Sequence, residues 1–373
     1  MTQTVTRPVP QKSTGIPAGK VAVKLPNLFQ GFLKQTPPLN PYYEEVRSES
    51  ERWLTRFCSL SPQMQMKLQK LDFSYFCAIM APNAPRKEYR TICDWGNWVF
   101  PYDDMFDGGD LGGELKDDPI KSRIVVDSLL EPFLTGEVSK GRMRIVEAHD
   151  DVARRIFSTC TRGVRRRFLY RMHLYSKGVL THLDDHFDGR RPTPEEMIET
   201  RRDSAGSGPL YHLVEYGHRL HVPNKVFKDP VIRELENLGM EMVCITNDLV
   251  SYQKEEGDGY TGNIVAACRM DGMSAQEAFD YVGRLLEERY RRWEAAEARV
   301  PHWEYPTNMH VAKYIEGIKA VVRANLYWSF RTKRYLGRDP EEVRRTGIIY
   351  VLKNPPYMVD DRTEKEETVL VRG

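Results

Sequence analysis

Residues 229–256 read DPVIRELENLGMEMVCITNDLVSYQKEE, and the helical spacing of their apolar residues predicts one long helix. Asn247, Ser251 and Glu255 follow one another at intervals of four residues, so a helix projects their side chains from one face. Asn and Ser are poor helix formers, and packing gives no obvious reason to combine them with Glu on this stripe. The stretch therefore offers a line of hard oxygen ligands. Lys254 adds a cation of the kind that suits a phosphate oxygen.

A second acidic segment, Asp103-Asp104-Met105-Phe106-Asp107, ends another predicted helix. Asp103 and Asp107 also share a helical face, and the aromatic residues of the preceding Asp94–Pro101 stretch suggest an apolar pocket below the acids. Mg²⁺ binds few protein carboxylates and completes its octahedron with water and substrate phosphate oxygens. Two sparse oxygen stripes facing each other across a cavity therefore predict a trinuclear magnesium site for a diphosphate.

Glycines follow both acidic segments. Gly108 and Gly109 come directly after the first segment, and Gly257 and Gly259 come after the second. Glycine after a helical pattern is typical of a helix C-terminus that is followed by a flexible loop. We therefore expect both ligand stripes to lie at a cavity mouth with movable covers.

The composition is that of an ordinary globular protein. Hydrophobic residues make up 40% and charged residues 29% of the 373 residues, which is enough apolar mass for a large core. The net charge of +2 gives no general case for binding nucleic acid or an anionic membrane. The six cysteines show no CxxC spacing, so reduced thiols in the cytosol are expected. No apolar run approaches the roughly 20 residues of a membrane span, so we expect no membrane insertion.

The pattern along the chain predicts an all-α protein with a single helical bundle around a central apolar pocket. We interpret residues 1–25 as a disordered leader, 26–350 as the bundle domain and 351–373 as a loose C-terminal tail. The β-branched run of 346–352 predicts a short extended cap. The segments with helical length and apolar spacing are 41–59, 62–80, 86–107, 118–134, 148–187, 194–216, 229–256, 274–299 and 308–336.

Two further segments contain arginines placed to meet a ligand. Arg201 and Arg202 precede the small residues Asp203–Pro209, which predict a helix that breaks where it meets a ligand. Guanidinium groups can bind phosphate oxygens in bidentate fashion, although a surface arginine pair at a helix kink is an equal alternative. Arg334 and Tyr335 end a later helix, where arginine also suits the helix dipole.

Two charged segments are interpreted as surface features. Asp184-Asp185-His186-Phe187-Asp188 repeats the acidic pattern, but it runs into Arg190 and Arg191, which could neutralise it. The arginines between positions 162 and 171 lie on a predicted helix near many acids, which is typical of a solvated face. We therefore expect no nucleic-acid partner.

Taken together, the motifs resemble those of the fungal class I terpene synthases, particularly the ascomycete sesquiterpene cyclases, over roughly residues 26–350. The resemblance rests on the aromatic approach to Asp103, the complete pattern of Asn247 to Glu255, the Arg201-Arg202 segment and Arg334-Tyr335. It implies a class I terpenoid synthase fold, a prenyl diphosphate substrate and three Mg²⁺ ions.

The resemblance also implies roles for particular residues. Asp103 would be the main metal ligand of the first segment, supported by Asp104 and Asp107. A further ion would be held by Asn247, Ser251 and Glu255.

The remaining implied roles concern the diphosphate and the hydrocarbon pocket. Arg202 resembles the diphosphate sensor because it lies four residues before Gly206, which matches the effector position. Arg201 remains a possible substitute, and Ala205 would occupy the linker position. Arg334 and Tyr335 resemble the pair that binds diphosphate and closes the site, together with the cation of Lys254. The aromatic pocket positions would be Phe76, Phe100, Trp303 and Trp328.

The predicted activity is that of a magnesium-dependent terpene cyclase, a lyase that ionises a linear prenyl diphosphate and releases diphosphate. By resemblance, the substrate is farnesyl diphosphate and the product a sesquiterpene hydrocarbon or alcohol. A chain-elongating trans-prenyltransferase shares the fold and metals but needs two aspartate-rich motifs. A non-catalytic helical binding protein is the other alternative, although it would not need ligands on both helices. A monomer and a homodimer both remain open.

Overall fold

The computed structural model describes residues 16–107, 113, 115, 117–337 and 339–358. The described part is dominated by helices, as the sequence predicts. In chain order the α-helices are α1 (Tyr43–Cys58), α2 (Pro62–Leu71), α3 (Phe73–Met80), α4 (Arg86–Asp107), α5 (Pro119–Ser128), α6 (Glu131–Leu134), α7 (Arg144–Phe157), α8 (Arg162–Phe187), α9 (Pro194–Ser204), α10 (Ser207–Gly217), α11 (Pro230–Glu255), α12 (Ile264–Met270), α13 (Ala275–Glu297), α14 (Thr307–Ser329), α15 (Lys333–Leu336) and α16 (Pro340–Thr346).

Helix α11 is the central element of the bundle, and it packs against α9, α13, α14 and α15. Its start is defined by Asp229, whose carboxylate accepts hydrogen bonds from the Val231 and Ile232 amides at 2.9 and 3.4 Å. Pro230 follows at the first helical position, where an amide hydrogen would have no helical acceptor. The predicted helix over 229–256 is thereby confirmed. A short 3₁₀ turn and Gly259, with φ +70°, follow its last residue.

The predicted helix over 194–216 is divided into α9 and α10 at Ala205 and Gly206. Thr193 and Glu196 form a capping box at the start of α9. Gly206 lies at φ +68°, a left-handed conformation that only glycine adopts without strain. Helix α8 contacts the break, because a Cβ at Gly178 would lie 2.6 Å from the Ser204 nitrogen. The break therefore packs closely against α8.

Other predicted segments are also divided at specific residues. The segment 62–80 separates into α2 and α3 at Asp72, which has φ +50° and accepts a hydrogen bond from the Tyr43 hydroxyl at 2.6 Å. The segments 118–134, 148–187 and 308–336 each form two helices, because short turns interrupt the apolar spacing. These interruptions let the helices change direction around the central pocket.

A two-stranded antiparallel sheet joins the two ends of the described chain. Strand β1 (Lys20–Lys24) pairs with β2 (Ile348–Leu352), with Lys20 opposite Leu352 and Lys24 opposite Ile348. The predicted extended cap is confirmed as β2. The leader boundary at residue 25 must be corrected, because 20–24 are ordered by backbone hydrogen bonds to β2. The tail boundary at 351 is corrected in the same way, because Val351 and Leu352 belong to β2 and the Tyr357 hydroxyl is hydrogen-bonded to that of Tyr252 on α11. Residues 1–15 and 359–373, which carry the rest of the leader and tail predictions, lie outside the described residues.

Two of the arginines that were interpreted as a solvated face turn inward. Arg167 donates to both carboxylate oxygens of Glu215, at 3.0 and 2.7 Å, and its guanidinium lies 3.9 Å from the Phe227 ring centroid. Arg171 pairs with Glu236 at 2.9 Å. Both acids are distant in the chain, and as partners inside the bundle they explain why α8 can bury charged residues.

The second acidic copy is neutralised by arginines, one of them the predicted Arg190, but it is not only a surface feature, because Asp185 and Arg190 line a cavity together with Asp103. Asp184 is exposed and pairs with Arg123 at 2.8 Å, and Asp185 pairs with Arg190 at 3.4 Å. All six cysteines are free thiols. Across the described ranges, no helix combines the length and apolarity that crossing a membrane requires.

Candidate active site

A cavity of about 860 Å³, counted with its solvent-open mouth, lies among α3, α4, α8, α9, α10, α11, α14 and α15. Small-molecule sites are mostly apolar concavities with a few polar groups, and this cavity combines aromatic walls with such groups. Four aromatic side chains form a continuous wall. Phe73 stacks on Phe76 at 4.5 Å between centroids and meets Phe100 at 4.6 Å, while Trp328 lies 5.1 Å from Phe100. The aromatic approach to Asp103 thus does line an apolar pocket.

Most of the predicted pocket residues reach this cavity. Phe76, Phe100, Ala205, Gly206 and Trp328 all line it. The Trp328 ring is fixed in place because its Nε1 donates to the Leu71 carbonyl at 2.7 Å.

Trp303 is not brought to the cavity. It follows α13 in the chain, is partly buried, and packs against the hydrophobic core. It is absent from the cavity walls formed by the described residues. Its aromatic character alone did not distinguish a core position from a pocket position.

The acidic end of α4 lies at the mouth of the cavity. Asp103 accepts a hydrogen bond from the Tyr175 hydroxyl of α8 at 2.8 Å. Burial raises the pKa of Asp103 to about 6, against the lowering effects of Tyr175 and of the guanidinium groups of Arg201 and Arg334. Asp104 accepts two hydrogen bonds from Arg334, at 2.6 and 3.2 Å. The backbone of Asp107 ends α4, while its side chain and Gly108 to Gly112 lie outside the described residues.

Two of the three oxygen ligands predicted on α11 reach the same cavity. Asn247 and Glu255 line it. The Asn247 amide donates to the Tyr335 hydroxyl at 3.3 Å, and Glu255 accepts from Asn263 at 2.9 Å. Ser251 lies between them in sequence but is fully buried and is not among the described wall residues; its hydroxyl has no hydrogen-bond partner within the described part of the chain.

The adjacent arginines of α9 point in different directions. Arg201 lines the cavity and donates to Asn247 at 3.1 Å and to the buried Asp248 at 2.7 Å. Arg202 instead pairs with Glu241 at 2.8 Å, and Glu241 also binds Arg289 at 2.9 Å. The geometry therefore favours Arg201 over Arg202 as the cation that meets a ligand, which reverses the preference from sequence.

Two further predicted cations occupy different positions. Arg334 lines the cavity, with its guanidinium carbon 5.3 Å from the Phe100 ring centroid. Tyr335 lines it as well, and burial raises the pKa of its hydroxyl, which stays protonated at neutral pH. Lys254 lies 3.5 Å from Asp258 on the next turn and is not among the described wall residues.

Sequence reasoning missed three wall residues whose neighbours are distant in the chain. Tyr175 holds Asp103, and Asn325 of α14 donates to α11. Tyr260 borders both this cavity and an adjoining chamber of about 790 Å³, which also shares Asp103 and Arg201. No local pattern marks these residues, because contacts between separate helices place them.

The residues at the mouth fit a hard divalent cation. Among the described residues, no three His, Cys, Asp or Glu side chains form one tight cluster. The donors are instead divided between two helices and include amide and hydroxyl oxygens, which suits an ion that keeps most of its ligands as water and substrate. Ser251 offers a further oxygen on the α11 stripe, because its buried hydroxyl has no hydrogen-bond partner among the described residues, a state that it shares with Ser207 of the cavity wall.

Comparison with known proteins gives consistent matches. The family model described as terpene synthase family 2, C-terminal metal binding, matches residues 94–292. The chain is 33% identical over 347 residues to silphinene synthase of Penicillium patulum, with 89% of this chain and 91% of that protein covered. It is 31% identical over 336 residues to terpene cyclase 4 of Gibberella fujikuroi, with 88% and 89% covered.

Solved structures match as well. A variant of cucumene synthase superposes with a TM-score of 0.70 at 25% sequence identity, covering 80% of this chain and 98% of that one. The matched family segment begins on α4, before Asp103, and ends on α13, beyond Glu255. Both oxygen stripes therefore lie inside it.

Proposed function

The chain belongs to the terpene synthase family and is a terpene cyclase acting on a prenyl diphosphate, and we propose that its substrate is farnesyl diphosphate, which it converts to a sesquiterpene. The observation that carries the proposal is the juxtaposition of two oxygen stripes and two arginines at the mouth of an aromatic cavity. Ionising an allylic diphosphate creates an anion and a carbocation together. A polar mouth over an aromatic pocket suits both charges.

The metal-binding role follows from the family and from the donor set. We propose that Asp103 holds the cation at α4, supported by Asp104 and Asp107, and that Asn247, Ser251 and Glu255 hold another. By family resemblance, the ions are three Mg²⁺. When bound, such ions neutralise the charge that develops on the leaving diphosphate.

The two arginines would receive the diphosphate. Arg201 and Arg334 are only 13% and 11% exposed, so they face the ligand from a site with little water, where electrostatic attraction is stronger than in bulk water. Both are already oriented by carboxylates, Asp248 and Asp104 respectively. We therefore assign diphosphate binding to Arg201 and Arg334, with Tyr335 beside them, and assign Arg202 to the pairing of α9 with α11.

The aromatic wall would act after ionisation. The faces of Phe76, Phe100 and Trp328 each attract a cation by about 0.5–2 kcal/mol. This is a small effect compared with the charge stabilisation at the mouth. The wall should therefore influence the path of the carbocation, while the mouth determines whether the reaction begins.

The test is incubation of the purified protein with geranyl, farnesyl and geranylgeranyl diphosphate, with Mg²⁺ and with EDTA. We expect cyclic C15 products and diphosphate from the farnesyl substrate only when Mg²⁺ is present. Linear elongated diphosphates would instead indicate a chain-elongating enzyme, which the relatives do not favour. If no substrate yields a terpene or diphosphate, the proposed function is wrong. A cytosolic location is part of the proposal and is tested by cell fractionation.

A further inference from the structure

One wall residue of the cavity is polar and lies away from the mouth. Asn325, on α14, is 5% exposed and lines the cavity three residues before Trp328, on the same helical face. Its neighbours in the wall include the apolar side chains of Val243 and Leu210. A polar group among aromatic and aliphatic side chains requires an explanation.

The hydrogen bonds of Asn325 determine which way its amide points. Its Nδ2 donates to the Val243 carbonyl at 3.2 Å and to the Thr246 hydroxyl at 2.9 Å. The carbonyl can only accept. The Thr246 hydroxyl hydrogen is directed to backbone carbonyls, with Met242 at 2.7 Å, so this hydroxyl also acts as an acceptor toward Asn325. Both partners need a donor, so the amide nitrogen must face α11.

The carbonyl oxygen of Asn325 is therefore the half of the amide that is available to a ligand. It receives no hydrogen bond from any residue in the described part of the chain, although the side chain lines the cavity. Its partners Val243 and Thr246 both precede Asn247 on α11, and on α14 Asn325 precedes Trp328 of the aromatic wall, beyond which the chain leads to Arg334 at the mouth. The oxygen thus belongs to the hydrocarbon part of the cavity, below the metal ligands.

We propose that Asn325 is a specificity-determining residue, whose carbonyl oxygen stabilises positive charge at one position of the carbocation and so selects the product. The proposal rests on the proposed cyclase function. A carbonyl dipole held rigidly in a pocket of low polarity attracts a cation without reorganisation. The aromatic faces alone are spread along the wall, whereas this oxygen is a single localised site.

The test compares the product ratios of Asn325→Leu and Asn325→Ala with those of the wild type, each measured per diphosphate released. Leucine keeps the approximate size of the side chain and alanine makes it smaller, but both remove the oxygen. We expect the ratio of the main product to the others to change at least tenfold, or about 1.4 kcal/mol, in the same direction for both variants. Ser329→Ala is the matched control, since Ser329 is buried on α14 but is not a described wall residue.

The possible outcomes separate the inference from the proposed function. A wild-type product ratio in either folded variant overturns the role of the oxygen. Opposite shifts in the two variants also overturn it, because they assign the effect to volume. If thermal unfolding shows that Asn325→Leu does not fold, the product ratio of Asn325→Ala alone decides, and a ratio equal to that of the wild type overturns the role of the oxygen. If the wild type forms no terpene from any of the three substrates, the proposed function fails instead.

Discussion

The two arginines of α9 give a matched experiment within two consecutive residues. Arg201→Gln removes the guanidinium that lies against Asn247 and Asp248 and lines the cavity. Arg202→Gln removes one that pairs with Glu241, six residues before Asn247 on α11, and that is not among the described wall residues. Both substitutions remove one positive charge and leave a polar side chain of similar length. Any difference between them therefore reports where the charge lies.

The expected magnitudes differ widely. Loss of a preorganised cation at the diphosphate should lower kcat for Arg201→Gln by about 10²- to 10³-fold. It also leaves the buried Asp248 with the Ile264 amide as its remaining hydrogen-bond donor among the described residues, so we expect a loss of about 3 kcal/mol in unfolding free energy. Arg202 is 30% exposed, and Glu241 retains its ion pair with Arg289 when Arg202 is replaced. Arg202→Gln should therefore lower the unfolding free energy by less than about 1 kcal/mol.

The assay is diphosphate release from farnesyl diphosphate at saturating Mg²⁺, at a temperature where both variants are folded by circular dichroism. Arg201→Lys serves as a second variant, because it keeps a positive charge beside Asp248 while losing the guanidinium fork. We expect its rate to lie between those of the wild type and Arg201→Gln. The reasoning is refuted if Arg202→Gln loses 100-fold or more while Arg201→Gln stays within about threefold of the wild type.

Three other predictions concern the wall, the core and the helix break. Trp328→Leu removes one aromatic face and should change the product ratio by roughly 2- to 30-fold, the equivalent of about 0.5–2 kcal/mol; an unchanged hydrocarbon profile by gas chromatography would contradict its role. His149 is fully buried, and burial lowers its pKa from 6.5 to about 3, so the unfolded chain takes up a proton that the folded chain excludes. The unfolding free energy is therefore not reduced by His149 above pH 6.5. Between pH 6.5 and pH 3 it should fall by about 1.4 kcal/mol for each pH unit, because protonation of His149 favours the unfolded chain. Denaturation at several pH values gives the slope of unfolding free energy against pH. Between pH 3 and pH 6.5 this slope should be smaller in His149→Leu than in the wild type by the equivalent of one proton, and equal slopes would count against this reasoning. Gly178→Ala places a methyl group 2.6 Å from the Ser204 nitrogen. We expect it to lower the unfolding free energy by about 1–3 kcal/mol and to reduce diphosphate release. Wild-type stability and rate in this variant would show that α8 and α9 are not in tight contact.

The sequence predicted those features that depend on residues close together in the chain. The bounds of α4 agree with the predicted 86–107, because aromatic spacing and the following glycines mark both ends. The shared face of Asn247 and Glu255 follows from helical periodicity alone. The terpene synthase family could be recognised because its motifs are local.

Features that depend on contacts between helices were not predictable in the same way. Consecutive residues on a helix lie about 100° apart, so the distance to Gly206 could not show which of Arg201 and Arg202 reaches the cavity and which pairs with Glu241. That choice depends on how α9 packs. Asn325 carries no motif, and its role appears only when its amide is found bound to Val243 and Thr246.

The pairing of the chain ends was missed for a related reason. A five-residue strand in a polar, proline-rich leader gives little periodic signal, and its partner lies more than 320 residues away at Ile348–Leu352. Strand pairing over that separation has no local signature. The domain boundary predicted at residue 25 therefore fell after β1 instead of before it.

The most direct test of the central claim is the Mg²⁺ dependence of diphosphate release from farnesyl diphosphate by the wild type and by Asn247→Ala and Glu255→Ala. We predict that the wild type is inactive in EDTA and regains activity with Mg²⁺. Each variant should lose at least about 100-fold in rate at the same Mg²⁺ concentration while keeping its fold by circular dichroism. Full magnesium-dependent activity in either variant, or equal release by the wild type in EDTA, would contradict the assignment of the α11 stripe as a metal site.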